Sequence, residues 1–120
     1  DAILDSTGVS IELAWPNDLL VGGAKAGGVL AEASWVGDRL ESVTIGIGVN
    51  VNVRTDQLSN LSPDATSLLQ ELGQPADRSV LAGYVLTRLD DGLRTLQDSD
   101  RGPSEILERW RLNLGLEGSK

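Results

Sequence analysis

The sequence predicts an α+β fold: a mixed, mainly antiparallel sheet built from hairpins, followed by helices that cover it. Three observations carry this. Val43, Ile45, Ile47, Val49, Val51 and Val53 occupy every second position, the period of a strand. Turn signals at Gly22-Gly23 and Gly37-Asp38 punctuate the chain before them, as tight connections between strands require. Leu81, Val85, Leu89, Leu93 and Leu96 then recur at steps of four, four, four and three, which draws one apolar helical face.

Taken in order, Ala2 to Asp5 reads as the last turn of a helix, and Ser6-Thr7-Gly8 breaks it. Val9, Ile11, Leu13 and Trp15 alternate with Ser10, Glu12 and Ala14, so a half-buried strand runs to Trp15. Pro16 cannot donate to a ladder and biases Trp15 towards extended geometry. Asn17 and Asp18 then stand just past the strand's end. Val21-Gly22-Gly23-Ala24 reads as a hairpin turn, and the next strand spans about Lys25 to Trp35. Paired glycines inside a strand, here Gly27-Gly28, weaken it unless something approaches the backbone closely. A lysine beside that gap suggests a phosphate or carboxylate site; the alternative is a solvated surface lysine.

The β-branched set from Val43 to Val53 is expected to form core. The opposite face carries Gly46 and Gly48, then Asn50 and Asn52. Two glycines leave room for a planar group, and an asparagine beyond them offers both a donor and an acceptor. Accommodation of a crossing element explains the same glycines. Thr55 to Asp64 reads as a loop. A short helix from about Thr66 to Leu72 has Ser67-x-x-Gln70 in capping-box form and Gly73 as its stop. The longest helix spans about Arg78 to Leu96, Asp98 to Pro103 is a linker, and a last helix from Ser104 to Leu112 turns Ile106, Leu107 and Trp110 inward.

Composition excludes several functions. A chain of 120 residues fits one domain. Ten basic against 18 acidic residues give a net charge of −8, which argues against a nucleic-acid or anionic-membrane surface on this segment. With no histidine and no cysteine, Ser-His-Asp triads, zinc-hydrolase motifs and thiolate chemistry are absent. No apolar run approaches the roughly 20 residues that span a bilayer, and the lack of cysteine fits a cytoplasmic setting. The lack of any methionine predicts that the sequence is part of a longer product.

Trp15-Pro16-Asn17-Asp18, then Lys25-Ala26-Gly27-Gly28-Val29-Leu30 with Glu32, then Gly46-Ile47-Gly48-Val49-Asn50-Val51-Asn52, together resemble the second half of the catalytic domain of biotin–protein ligases. Order, spacing and composition agree across residues 13–53. Asp64-Ala65-Thr66-Ser67-Leu68 and the helices after it resemble the family more loosely. Ala14 stands where the family usually has lysine, and Ala26-Gly27 where Leu-Ala is commoner. The family's earlier Ser-Thr-Asn segment and its arginine- and glycine-rich biotin loop are not in this sequence. On this resemblance residues 1–113 are the C-terminal half of an incomplete ligase catalytic domain, and 114–120 lead into a further segment.

The resemblance implies that biotin and MgATP give biotinyl-adenylate, and that a lysine of a carboxylase's biotin carboxyl carrier domain then takes the biotin. It implies a catalytic role for Lys25 at the biotin carboxylate and the α-phosphate. Asn17, Asp18, Asn50, Gly27 and Gly28 would bind ATP and the adenylate, Lys25 and Gly28 the biotin. Asp18 would help hold Mg²⁺ or receive the acceptor lysine. A homodimer is a further expectation. The alternatives are a lipoate-type acyl-adenylate ligase, or an inactive half-domain that only binds nucleotide or self-associates.

Overall fold

The computed structural model describes residues 1–61, 63–98 and 102–112. In chain order these form α1 (Ala2–Thr7), β1 (Glu12–Ala14), β2 (Asp18–Val21), β3 (Ala24–Val36), β4 (Arg39–Val49), α2 (Thr55–Leu61), α3 (Leu68–Leu72), α4 (Arg78–Asp98) and α5 (Gly102–Leu112). The expected lead at 114–120 lies outside the described residues. The strands lie in the order β1-β2-β3-β4, each antiparallel to the next. An isolated bridge between Lys25 and Ala65 supplies a parallel contact.

Gly22 and Gly23 both take positive φ, 55° and 86°. That is the requirement of the two-residue turn between β2 and β3. The first strand is shorter than the alternation predicts, Glu12–Ala14 rather than Val9–Trp15. Val9 is instead drawn into a buried cluster with Ile3, Leu68 and Leu81. The chain then turns through Trp15–Asn17, with the Trp15-Pro16 peptide cis, into a strand that the sequence reading did not separate. Asp18 therefore lies within β2, opposite Ala14 and Gly28, not beyond a strand end.

The fourth strand ends at Val49, short of the predicted Val53. Beyond it the backbone turns to meet α3: Leu68 N–H donates to Asn50 C=O at 2.9 Å and Leu69 N–H to Val51 C=O at 2.8 Å. The stretch expected to be a loop holds α2, anchored by the buried Leu58. Ser67 caps α3 by accepting from Gln70 N–H, and Gly73 at φ 74° ends it. Asp77 Oδ1 accepts from Ser79 and Val80 N–H at 2.9 and 3.2 Å, capping α4.

The core sits at one end of the sheet. Ile3, Val9, Leu68 and Leu81 are its centre, with Ile11, Val21, Val49, Val51, Leu72 and Val85 packed against them. The outer part of the β3–β4 hairpin is bare: Val43, Ile45 and Ile47 are 53%, 42% and 43% exposed. This corrects the expectation that the whole β-branched face is core. Helices α1, α3 and α4 gather at the Val49–Val51 end, and no described helix lies along the outer hairpin. The predicted face of α4 divides likewise. Leu81 is buried, while Leu93 and Leu96 are exposed. Of the three inward residues expected on α5, Ile106 and Trp110 are half-buried and Leu107 is exposed. Trp110 packs edge-on against Trp15, ring centroids 5.7 Å apart.

Candidate active site

Strict alternation along β3 puts Lys25 and Gly28 on opposite faces. A bulge changes this. Leu19 pairs with Gly27 but Leu20 with Lys25, so Ala26 is an extra residue on β3. Such a bulge re-aims the side chain beside it. Ala26 is fully buried, and Lys25 Nζ lies 3.3 Å from Oδ1 of Asp18, the residue opposite Gly28. The lysine is 51% and the aspartate 37% exposed. An ion pair this wet contributes little to stability, about 0–1 kcal/mol, so an incoming anion can displace the carboxylate at small cost.

The backbone of Lys25 is held far more firmly than its head. Its N–H donates to Asp64 C=O at 2.7 Å, and its C=O accepts from Thr66 N–H at 2.8 Å. Residues 64–66 thus form a strap along the start of β3. Asn50 secures the strap: its N–H donates to Ala26 C=O at 2.7 Å and its Nδ2 to Thr66 C=O at 3.1 Å. Asn52 has a different task. Its amide forms a reciprocal pair with the backbone of Ala76, both bonds 2.9 Å, tying the end of the sheet to the loop before α4.

The glycines separate by role. A Cβ on Gly27 would collide with the Gly48 carbonyl oxygen, backbone against backbone. Close strand packing therefore demands Gly27, and its contribution to ligand approach is indirect. Gly28, Gly46 and Gly48 line an open cleft of about 530 Å³ with Asn17, Asp18, Lys25 and Leu30. A Cβ at Gly46 or Gly48 would meet nothing nearer than 3.7 Å and 4.0 Å, so their lack of side chains leaves the cleft floor open. A second hollow of about 400 Å³ adjoins it, lined by Lys25, Gly27, Gly28, Gly48, Val49, Asn50 and Ala65. Both volumes suit small-molecule sites. Lys25, Gly28 and Gly48 belong to both, so one lysine stands where two hollows meet.

Of the residues singled out from sequence, Asn17, Asp18, Lys25 and Gly28 share the first hollow, and Lys25, Gly27, Gly28 and Asn50 the second. Asn17 is fixed through its backbone, its C=O accepting from Val29 N–H at 2.9 Å. Asn50 commits one of its two amide hydrogens to Thr66 and retains its carbonyl oxygen as an acceptor and its second N–H as a donor for a ligand. Arg39 is exposed and Arg54 pairs with Asp56 at the surface. The strap residues Ala65 and Thr66 were not picked out for the site. Their signal is the Asp64-Ala65-Thr66-Ser67-Leu68 string, whose polar Thr66 and Ser67 are both buried.

A resident metal ion does not fit the donor set. Among the described residues no three His, Cys, Asp or Glu side chains converge, and Asp18 faces the Lys25 ammonium. A single carboxylate is too few oxygen ligands to hold a resident magnesium ion on its own. No described helix is long and apolar enough to cross a membrane.

Residues 4–50 match the biotin/lipoate A/B protein ligase family. Over 112 residues the chain is 35% identical to the bifunctional ligase/repressor BirA of Bacillus spizizenii, covering 92% of this chain and 34% of that protein. It is 39% identical over 97 residues to the biotin–[acetyl-CoA-carboxylase] ligase of Mycobacterium tuberculosis, covering 74% and 33%. The crystal structure of biotin protein ligase from Aquifex aeolicus superposes with a TM-score of 0.75 at 27% identity, over 94% of this chain and 47% of that one. The same enzyme in complex with biotin and ATP gives a TM-score of 0.68 at 27% identity, over 94% and 45%. The chain spans about a third of the length of the curated relatives it matches and about half of the solved chains.

Proposed function

Over most of its length this chain is homologous to biotin–protein ligases, and from that premise we propose that it supplies the lysine-bearing part of a site that joins biotin to a carrier protein through biotinyl-adenylate. The observation that carries the proposal is the position of Lys25 at the meeting of two hollows. The first step must bring two anions together, the biotin carboxylate and the α-phosphate of ATP. A carboxylate oxygen attacks the α-phosphorus, and pyrophosphate leaves. A cation fixed between the two binding regions lowers that barrier, because negative charge concentrates there in the transition state.

In this reading the first hollow takes biotin, with Lys25 at the carboxylate and Gly28 giving close backbone approach. The nucleotide takes the second hollow and reaches into the first, oriented by Asn50 in the second and Asn17 in the first, with the Asn50 carbonyl oxygen accepting from a base amine. Magnesium enters as MgATP. Once the adenylate forms, Asp18 is released from Lys25 and can receive the proton of the acceptor lysine as its amine attacks the acyl carbon and AMP leaves. The acceptor belongs to the biotin carboxyl carrier domain of a carboxylase, and the reaction is cytoplasmic. The isolated chain is inactive, because its cleft is open and the arginine- and glycine-rich biotin loop of the family is not in this sequence. No nucleic acid binds through this acidic segment, and the ligase that contains it forms a homodimer.

The test is Lys25→Ala in the ligase that contains this chain, with biotin-dependent pyrophosphate exchange as the readout. Loss of about 10²-fold or more with the circular dichroism unchanged is expected; activity within a few-fold of the parent sinks the assignment. The family description also includes lipoate ligases. Offering biotin and lipoate to the same protein separates the two, and preference for lipoate would replace the substrate while leaving the role of Lys25.

A further inference from the structure

Thr66 is 1% exposed, so its side chain cannot reach a substrate, yet its backbone touches Lys25 directly. Its N–H donates to the Lys25 carbonyl at 2.8 Å, and its own carbonyl accepts from Asn50 Nδ2 at 3.1 Å. Its hydroxyl donates to Glu71 Oε1 on α3 at 2.6 Å. This is a short hydrogen bond to a charged acceptor, the stronger class. The neighbouring Ser67 is also fully buried and donates to Val53 C=O at 2.7 Å. The Ser67 oxygen also accepts from Gln70 N–H on α3 at 3.1 Å, so Thr66 and Ser67 each tie the strap to α3 through a side chain, while its backbone brackets Lys25 from Asp64 to Thr66.

We propose that Thr66 is a positioning residue for Lys25, and that the Thr66–Glu71 bond sets the height of the lysine over the junction of the two hollows. The proposal rests on the assignment of Lys25 above. A lysine head with half its surface in water has no packing to hold it. Its geometry is inherited from its backbone, and the backbone at Lys25 is fixed on both sides by the strap. Releasing the latch lets residues 64–66 shift along β3, and the ammonium moves with them. Misplacement by a fraction of an ångström to an ångström costs far more in rate than in binding, since reactants must be held in near-attack geometry.

The experiment uses the ligase that contains this chain, with biotin and MgATP, reading adenylate formation. Thr66→Val keeps the β-branched shape and removes the hydroxyl. It is expected to lower kcat about tenfold with KM for both substrates within twofold, and Thr66→Ser is expected to restore the rate. Glu71→Ala, at an exposed position on α3, releases the same latch from outside the core, and should match Thr66→Val. This second variant carries the test if the valine protein does not fold. Each change is then repeated in a Lys25→Ala background. No further loss there supports action through Lys25, because coupled residues are non-additive. An equal loss in both backgrounds, an unchanged kcat, or a rise in KM alone overturns the proposal. If Lys25→Ala itself keeps its activity, the assignment of Lys25 falls and this inference with it; a loss in Lys25→Ala with none in Glu71→Ala removes only the role of Thr66.

Discussion

At the scale of single residues, the site depends on which glycine does what. Gly27→Ala drives a methyl group into the backbone of Gly48. Strand-on-strand overlap has no flexible side chain to absorb it, so a loss of about 1–3 kcal/mol in urea unfolding is expected. Gly48→Ala makes only an ordinary contact, with the Gly28 carbonyl oxygen at 4.0 Å, and should change stability by about 0.5 kcal/mol or less. Because Gly48 floors both hollows, the same substitution should cut adenylate formation about tenfold. The two variants thus dissociate: one fails in the unfolding curve, the other in the assay. The sequence makes Gly27-Gly28 look like a matched pair, and alternation alone cannot separate them. The bulge at Ala26 that re-aims Lys25 is equally invisible there, since it is a property of register between strands. The lysine, Asn17, Asp18 and Asn50 were legible because their residue types are unusual beside glycine-rich strands. The use of Asn50 as a fastener for Thr66 was not, since the two are 16 positions apart.

At the scale of elements, caps and turns were readable because they are local chemistry. Ser67, Gly73 and the Gly22-Gly23 turn all behave as the residues require. Asp77 belongs with them. Asp77→Ala removes two hydrogen bonds at the start of α4 and should lower stability by about 1 kcal/mol, measured as a shift in denaturation midpoint with unchanged slope. It should leave adenylate formation intact, because α4 does not line either hollow. The elements that sequence misjudged are those decided by tertiary contact. Asp18–Val21 is too short for alternation to show, and it is a strand because β1 and β3 flank it. Thr55–Leu61 is polar and held as a helix through the burial of Leu58. Conversely, Val9 alternates like a strand residue and is claimed by the helical cluster.

At the scale of the whole molecule, the chain is less compact than its length allows. Its radius of gyration is 15.9 Å, against about 14 Å for a closed domain of this size. On the outer β3–β4 hairpin Trp35, Val36, Leu40, Val43, Ile45 and Ile47 are all exposed. Contiguous apolar surface of that kind associates in water. Purified 1–120 should therefore self-associate with rising concentration in sedimentation velocity and fail to biotinylate a carrier domain. Ile45→Lys should shift the distribution towards monomer. A monodisperse, active 1–120 would overturn both expectations. The order β1-β2-β3-β4 has one more consequence, in time instead of space. Every ladder joins neighbours in sequence, so no long loop must close before a strand can pair, and sheets of local contacts form quickly. On an elongating ribosome the sheet can be complete once Val49 emerges, while the strap at residues 64–66 is still unmade. The cleft floor is thus an early product of folding, and Lys25 is locked into register only some fifteen residues later.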